Sequence, residues 1–327
     1  MSIMETFSQK AKQNPKTILF PEGNNPTILM AVKKLSDESL AKPVLLGNPE
    51  EVIEEAAALG FDLTDIPIVH PDTSPHIEHY VTLYCREKDM PPGAGLRIMM
   101  QPLCFAAMMV KAGEADCMVA GINHPTEEVI LASELIIGLC PGISVVSSFF
   151  IMDIPNFTGG ENGLLIFADP AVNPDPNAEQ LADIALATAQ SAKETLGWEP
   201  RVAMLSFSTK GSASHPLVDK VIEATELAHQ KAPSLLIEGE MQADAAIVEA
   251  VAHKKMKSES KVAGKANVLI FPDLNAANIA CKLVQRLAKA NSYGPFLQGF
   301  NLPVSDLSRG ATVDDIIGAS IILSARA

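Results

Sequence analysis

The sequence predicts an α/β fold built on a mostly parallel sheet, and three observations carry that prediction. Short apolar runs alternate with longer amphipathic ones almost from end to end of the 327 residues, the pattern of strands that are each followed by a covering helix. The strand candidates read as apolar runs, as expected of strands buried between layers of helices. Hydrophobic residues make up 47% of the chain and charged residues 20%, which is enough apolar material for one large domain or two ordinary ones.

In chain order, residues 17–20 (Thr-Ile-Leu-Phe) form the first strand candidate, and 27–40 follow with helical periodicity. Apolar runs at 43–46, 66–69 and 116–120 read as further strands, with a helix over 102–112 ahead of the last. Residues 145–152 and 163–168 are strands on either side of the turn-rich segment 155–162, which predicts a hairpin with a domain boundary just before it. A helix over 178–195, a strand over 202–207, a helix over 216–230, a strand over 267–271 and a helix over 276–290 complete the alternation. The polar, basic-leaning stretch 254–265 reads as a solvated loop. Gly93-Ala94-Gly95, after Pro91-Pro92, lacks the third glycine of a dinucleotide fingerprint and reads as a turn.

Composition excludes several functions. A formal net charge of −14 argues against a nucleic-acid partner, which requires a basic patch. No apolar run is long enough for a membrane span, and the first residues lack the basic and apolar regions of a signal peptide, so a cytoplasmic protein is expected. The five cysteines are widely spaced without a CxxC pair, and they read as reduced thiols, several of them core residues. There is no Walker A sequence and no Gly-x-Ser-x-Gly elbow. His76-Ile77-Glu78-His79, with His70 nearby, lacks the i, i+4 pair of a zinc helix. It reads as a solvated helix start, and no metal is expected.

In so acidic a chain any anionic substrate must be held by a few local cations, and there are only six arginines. One of them lies in Asp306-Leu307-Ser308-Arg309-Gly310, directly before Ala311-Thr312-Val313-Asp314-Asp315. Serine and arginine ahead of a helix start suit an anion, because free backbone N–H groups, the helix dipole and the guanidinium fork converge there. A carboxylate on the first turn is placed to take a proton. Thr312-x-x-Asp315 equally fits a capping box that only ties down the helix, so both readings of Asp315 stand. A second loop, Ser206-Phe207-Ser208-Thr209-Lys210-Gly211-Ser212-Ala213-Ser214-His215-Pro216, leaves a strand and enters a helix with many hydroxyls and one lysine. It suits an anion as well, or is simply a connection capped by Ser214. Gly121-Ile122-Asn123-His124-Pro125-Thr126 occupies the same kind of position beyond a strand, where ligands of α/β sheets bind.

Together these segments resemble the phosphate acetyltransferase (phosphotransacetylase) family. The likeness is carried by residues 201–216, by Gly264-Lys265-Ala266-Asn267-Val268-Leu269-Ile270-Phe271-Pro272-Asp273, by 303–310, by Asn173-Pro174, by 178–185 and by Pro21-Glu22-Gly23. It runs from about Ile18 to the C-terminus. It implies two α/β domains with mostly parallel sheets and an active site in the cleft between them, an isocitrate-dehydrogenase-like architecture. The first domain would be 1–145 plus 295–327 and the second 146–294. The resemblance implies reversible acyl transfer between acetyl phosphate and coenzyme A, a reaction of acetate metabolism, carried out by a homodimer with acetyl phosphate, CoA and acetyl-CoA as substrates and no tightly bound cofactor or metal.

By the same resemblance Arg309 holds the phosphoryl group, Ser308 hydrogen-bonds the reacting centre and Asp315 accepts the thiol proton. Arg86 is a second anion contact. Ser206, Ser208, Thr209, Lys210, Gly211, Ser212, His124 and Thr126 bind substrate. Thiolate attack on an acyl phosphate suits these residue types, since a base helps the thiol and positioned donors stabilise the oxyanion. The chain departs from the family pattern at Leu131, where an arginine is usual, and at Thr27, Pro170 and Ala277. A non-catalytic acyl-CoA-binding or regulatory homologue, or a phosphate butyryltransferase, is the alternative.

Overall fold

The computed structural model describes residues 2–256 and 258–327. It divides into two compact units, one running to Gly138 and completed by Phe300–Ala327, the other Leu139–Gly299. The chain passes between units at 138/139 and 299/300, rather than at the 145/146 and 294/295 expected from sequence.

The first unit begins α1 (Ile3–Gln13), β1 (Thr17–Phe20), α2 (Pro26–Asp37), β2 (Lys42–Leu46), α3 (Pro49–Ala58) and β3 (Ile68–Val69). It continues through α4 (Ile77–Lys88), α5 (Pro92–Met99), α6 (Pro102–Lys111), β4 (Cys117–Ala120) and α7 (Thr126–Ile136). The second unit holds β5 (Ser147–Asp153), α8 (Gly159–Asn162), β6 (Leu164–Ala168), α9 (Ala178–Ser191), β7 (Arg201–Leu205) and α10 (Pro216–Lys231). It goes on with β8 (Leu236–Met241), α11 (Ala243–Ile247), α12 (Glu249–Lys255), β9 (Val268–Ile270), α13 (Leu274–Leu287) and β10 (Asn291–Gln298). The chain then returns to the first unit as β11 (Val304–Asp306) and α14 (Val313–Leu323).

In the first unit the strand order is β3-β2-β1-β4-β11, and every pair is parallel. The register of β11 sets Asp306 opposite Ala120, so the loops that follow β4 and β11 start side by side. In the second unit the order is β10-β5-β6-β9-β7-β8. Here β5 pairs antiparallel with β10 and β6, while β6, β9, β7 and β8 run parallel. The β5–β6 pairing is the hairpin that the turn residues predicted. The central strands are buried almost without exception, β1 and β4 among them, which is why they read as unbroken apolar runs.

Local chemistry explains most helix starts. Asn25 and Asn48 cap α2 and α3, each followed by proline at the first helical position. Ser2 with Glu5, Asn177 with Gln180, and Thr312 with Asp315 form complete capping boxes.

Several expectations are corrected. Gly93-Ala94-Gly95 is not a turn but lies inside α5, which starts at Pro92. A Cβ at Gly95 would sit 2.3 Å from the Cys85 sulfur, so the glycine allows α5 to approach α4 closely. Helix α10 is capped by His215, whose Nδ1 accepts from the Leu217 N–H, and not by Ser214. The stretch 254–265 is only partly a solvated loop, because α12 extends to Lys255 and both Val262 and Ala263 are buried; Lys257 lies outside the described residues. As expected, α4 starts in solvent at His76. Among the described residues no group of three or more histidine, cysteine, aspartate or glutamate side chains could hold a metal ion. No single helix among them is long and apolar enough to cross a membrane. All five cysteines are free, with Cys104, Cys117 and Cys281 buried. Burial pushes the Cys104 thiol up to about 11 and the Cys281 thiol up to about 12, so neither supplies a ready thiolate.

Candidate active site

At the C-terminal end of β11 the chain turns through Ser308, Arg309 and Gly310 and enters α14. All three of these residues are exposed. The Ser308 hydroxyl accepts from the Gly310 N–H at 3.3 Å, and the Arg309 guanidinium has no partner among the described residues. Thr312 caps α14: its hydroxyl accepts from the Asp315 N–H at 3.2 Å and donates to the Asp315 carboxylate at 2.7 Å, and its own N–H donates there at 2.9 Å. The capping reading of Asp315 is therefore real. Both contacts to the carboxylate fall on Oδ2, however, so Oδ1 of this exposed carboxylate stays open to a ligand. The arrangement offers an anion a cation, a hydroxyl and a helix N-terminus, with a carboxylate one turn away.

Asp306, just before this turn, is only 4% exposed. Its Oδ2 accepts from the Thr126 hydroxyl at 2.5 Å, while its Oδ1 is buried without a partner. Burial, reinforced by the charges of Glu22 and Glu127, pushes its pKa up to about 6 against the hydrogen bond from Thr126.

The loop after β4 wraps around a carboxylate. The N–H groups of Gly121, Ile122, Asn123 and His124 all donate to Glu22 at 2.8 to 3.1 Å, and the His124 Nδ1 lies 2.8 Å from it. Burial alone would raise the Glu22 pKa, but the His124 ring and these amides outweigh it and hold the carboxyl below its usual value. In turn Glu22 raises the pKa of His124, with the Glu128 charge adding to the effect. Of the two residues expected to bind substrate here, Thr126 is bonded to Asp306 and His124 to Glu22. Arg86 sits exposed in the last turn of α4 without a partner among the described residues, and Leu131 is 64% exposed on α7.

The loop after β7 lies in the second unit. Its donors face a carboxylate of the protein itself: the Ser208 hydroxyl and the Gly211 N–H donate to Glu240 at 2.9 and 2.8 Å. The Lys210 ammonium donates to the Gly239 carbonyl at 2.6 Å. Thr209 exchanges bonds with Gln242, and its N–H donates to the Ser212 hydroxyl. Ser206 accepts from the Ser208 N–H. Glu240 is 3% exposed and belongs to β8, a strand that sequence periodicity does not reveal.

The comparisons with known proteins match the whole of this chain. The model of the phosphate acetyl/butaryl transferase family covers residues 2–324. The chain belongs to the phosphate acetyl/butaryl transferase family. It is 49% identical to the phosphate acetyltransferase of Thermoanaerobacterium thermosaccharolyticum over 320 residues, 97% of each chain. It is 45% identical to that of Acetivibrio thermocellus over 330 residues, 100% of this chain and 98% of the other. The crystal structure of a phosphotransacetylase from Streptococcus pyogenes superimposes with a TM-score of 0.90 at 40% identity, over 99% of this chain and 98% of that one. The loop from Asp306 to Asp315 is, among the described residues, a polar cluster with donors still open.

Proposed function

We propose that this chain transfers an acetyl group reversibly between acetyl phosphate and coenzyme A, by direct attack of the CoA thiolate on the acyl carbonyl. One observation supports this most: in a full-length member of a transferase family, Ser308, Arg309 and Asp315 share one helix start and keep free donors and a free carboxylate oxygen.

In the proposed mechanism Arg309 binds the phosphoryl oxygens of acetyl phosphate and neutralises phosphate as it leaves. Arg86 is a second contact for anionic substrate. Ser308 donates to the acyl centre as negative charge builds on its oxygen. The open Oδ1 of Asp315 takes the thiol proton, so that sulfur attacks as thiolate; the C–S bond forms as the C–O bond to phosphate breaks. No cysteine of the protein is needed as a nucleophile. The loop after β7 contributes a rigid backbone shaped by Glu240, with its lysine engaged internally. Butyryl phosphate is the chemical variant of the substrate, and a homodimer is the proposed assembly, checked by light scattering.

A second reading, an acyl-CoA-binding protein without turnover, draws on Leu131, which leaves an exposed apolar side chain where family resemblance leads one to expect a cation. Thioester formation from acetyl phosphate and CoA, followed in the ultraviolet, separates the two. Turnover is expected. Failure with acetyl, propionyl and butyryl phosphate alike, together with CoA binding, would establish the second reading.

A further inference from the structure

We infer that Asp306 is a positioning residue for Arg309, retained for the reaction at a cost to the stability of the fold. The inference rests on the proposed acetyl transfer and deepens it.

The side chain is in an unfavourable place for a carboxylate. It is 4% exposed, and one of its oxygens has no donor. Oδ1 lies against the backbone of Gly121, where even a Cβ would come within 2.2 Å of it. Gly121 also has φ +111°, so only glycine fits comfortably there. Three acidic groups crowd this corner: Asp306 itself at the end of β11, Glu22 beyond β1, and Glu127 on α7. The charge-balancing group is His124, but it is bonded to Glu22. A buried carboxylate with an unpaired oxygen beside like charges destabilises the folded state.

The pH dependence of this penalty has a definite sign. The folded pKa of about 6 stands above the reference 3.8, so the fold favours the protonated acid. Stability contributed by that proton is complete below 3.8 and is lost as pH rises through about 6. At neutral pH the ionised group works against folding, and a neutral amide of the same shape would not.

What the carboxylate provides is geometry. Its bond to Thr126 ties the first turn of α7 to the end of β11, and the Leu307 N–H beside it bonds the Ala120 carbonyl at 2.7 Å. Between them these bonds hold both sides of the chain from which Ser308 and Arg309 project. A shift of about 1 Å in such a loop is enough to cost up to 10²-fold in rate.

The test is Asp306→Asn, with Thr126→Val and Thr126→Ser beside it. At pH 7.5 the Asp306→Asn protein is expected to melt no lower than wild type, its relative stability growing between about pH 4 and 6 and staying level above that window. Because a neutral amide oxygen holds the Thr126 hydroxyl less tightly than the carboxylate does, the variant's kcat/KM for acetyl phosphate is expected to fall about tenfold with KM for CoA unchanged, and its affinity for inorganic phosphate, measured by calorimetry, to fall with it. Thr126→Val should reproduce this loss and Thr126→Ser restore it, with the Asp306→Asn/Thr126→Val double variant no worse than either single one. An Asp306→Asn protein with wild-type phosphate affinity and turnover would overturn the inference, and so would one whose activity falls only in step with its melting temperature. If wild type binds phosphate but forms no thioester, the proposed reaction fails, whereas the Asp306 inference is still decided by phosphate affinity.

Discussion

The loop at 206–214 and the loop at 306–315 share hydroxyls, one cation and a glycine between a strand and a helix, and only the second carries aspartates. In the folded protein they are opposites. Around the first, Glu240 and Gln242 engage the donors of Ser208, Thr209 and Gly211, and Lys210 is bonded to a carbonyl. In the second, Arg309 is exposed without a partner among the described residues, and Asp315 keeps one oxygen open. The difference teaches that composition identifies a loop able to bind an anion, while a single buried carboxylate nearby decides whether it is free to do so.

Four substitutions would break or sharpen that comparison. The largest effect is expected from Arg309→Ala, with a loss of about 10²- to 10³-fold in thioester formation and an unchanged melting temperature, since the exposed side chain makes no hydrogen bond or ion pair among the described residues. Equal rates would remove Arg309 from the site. Next comes Asp315→Asn, in which the amide oxygen still accepts from Thr312. A rate loss of about 10²-fold without a change in melting temperature identifies the base, whereas a drop in melting temperature at constant rate identifies a cap alone.

Ser208→Ala should act on the other loop through stability, lowering it by about 1–3 kcal/mol in denaturant titrations because Glu240 loses a buried donor. The turnover of the folded variant should stay near wild type; a selective loss of CoA affinity would instead make this loop a direct binding element. The smallest effect is expected from Glu22→Gln. Glu22 has a lowered pKa and His124 a raised one, from reference values of 4.5 and 6.5. The Glu22 contribution is present above 4.5 and is lost as pH falls through its lower folded value. The His124 contribution is complete below 6.5 and is lost as pH rises through its higher folded value. The melting-temperature difference between wild type and Glu22→Gln should therefore be greatest between about pH 4.5 and 6.5 and shrink on either side. A difference that does not vary with pH would show that only the amide bonds matter.

How much was legible depended on the kind of signal. Strands such as β1, β4 and β7 were visible because both faces are buried, which produces continuous apolar runs. Three strands were not. β8 carries two glutamates and a glycine, β10 contains Gly294-Pro295 with a register shift, and β11 has only three residues. The cap of α14 was legible because its partners lie three residues apart. Asp306 opens the polar run 306–315, yet nothing local marks it as buried.

The alternation of strands and helices, the family, the capping box at Thr312 and the loops able to bind an anion are all legible in the residues alone, because each depends on local periodicity or on long contiguous motifs. Only the tertiary structure decided which polar groups are free. Ser208 meets Glu240 across 32 residues, His124 meets Glu22 across 102 and Thr126 meets Asp306 across 180. Hydrogen bonds reach only about 3 Å, so such pairs exist only once packing has brought distant strands side by side.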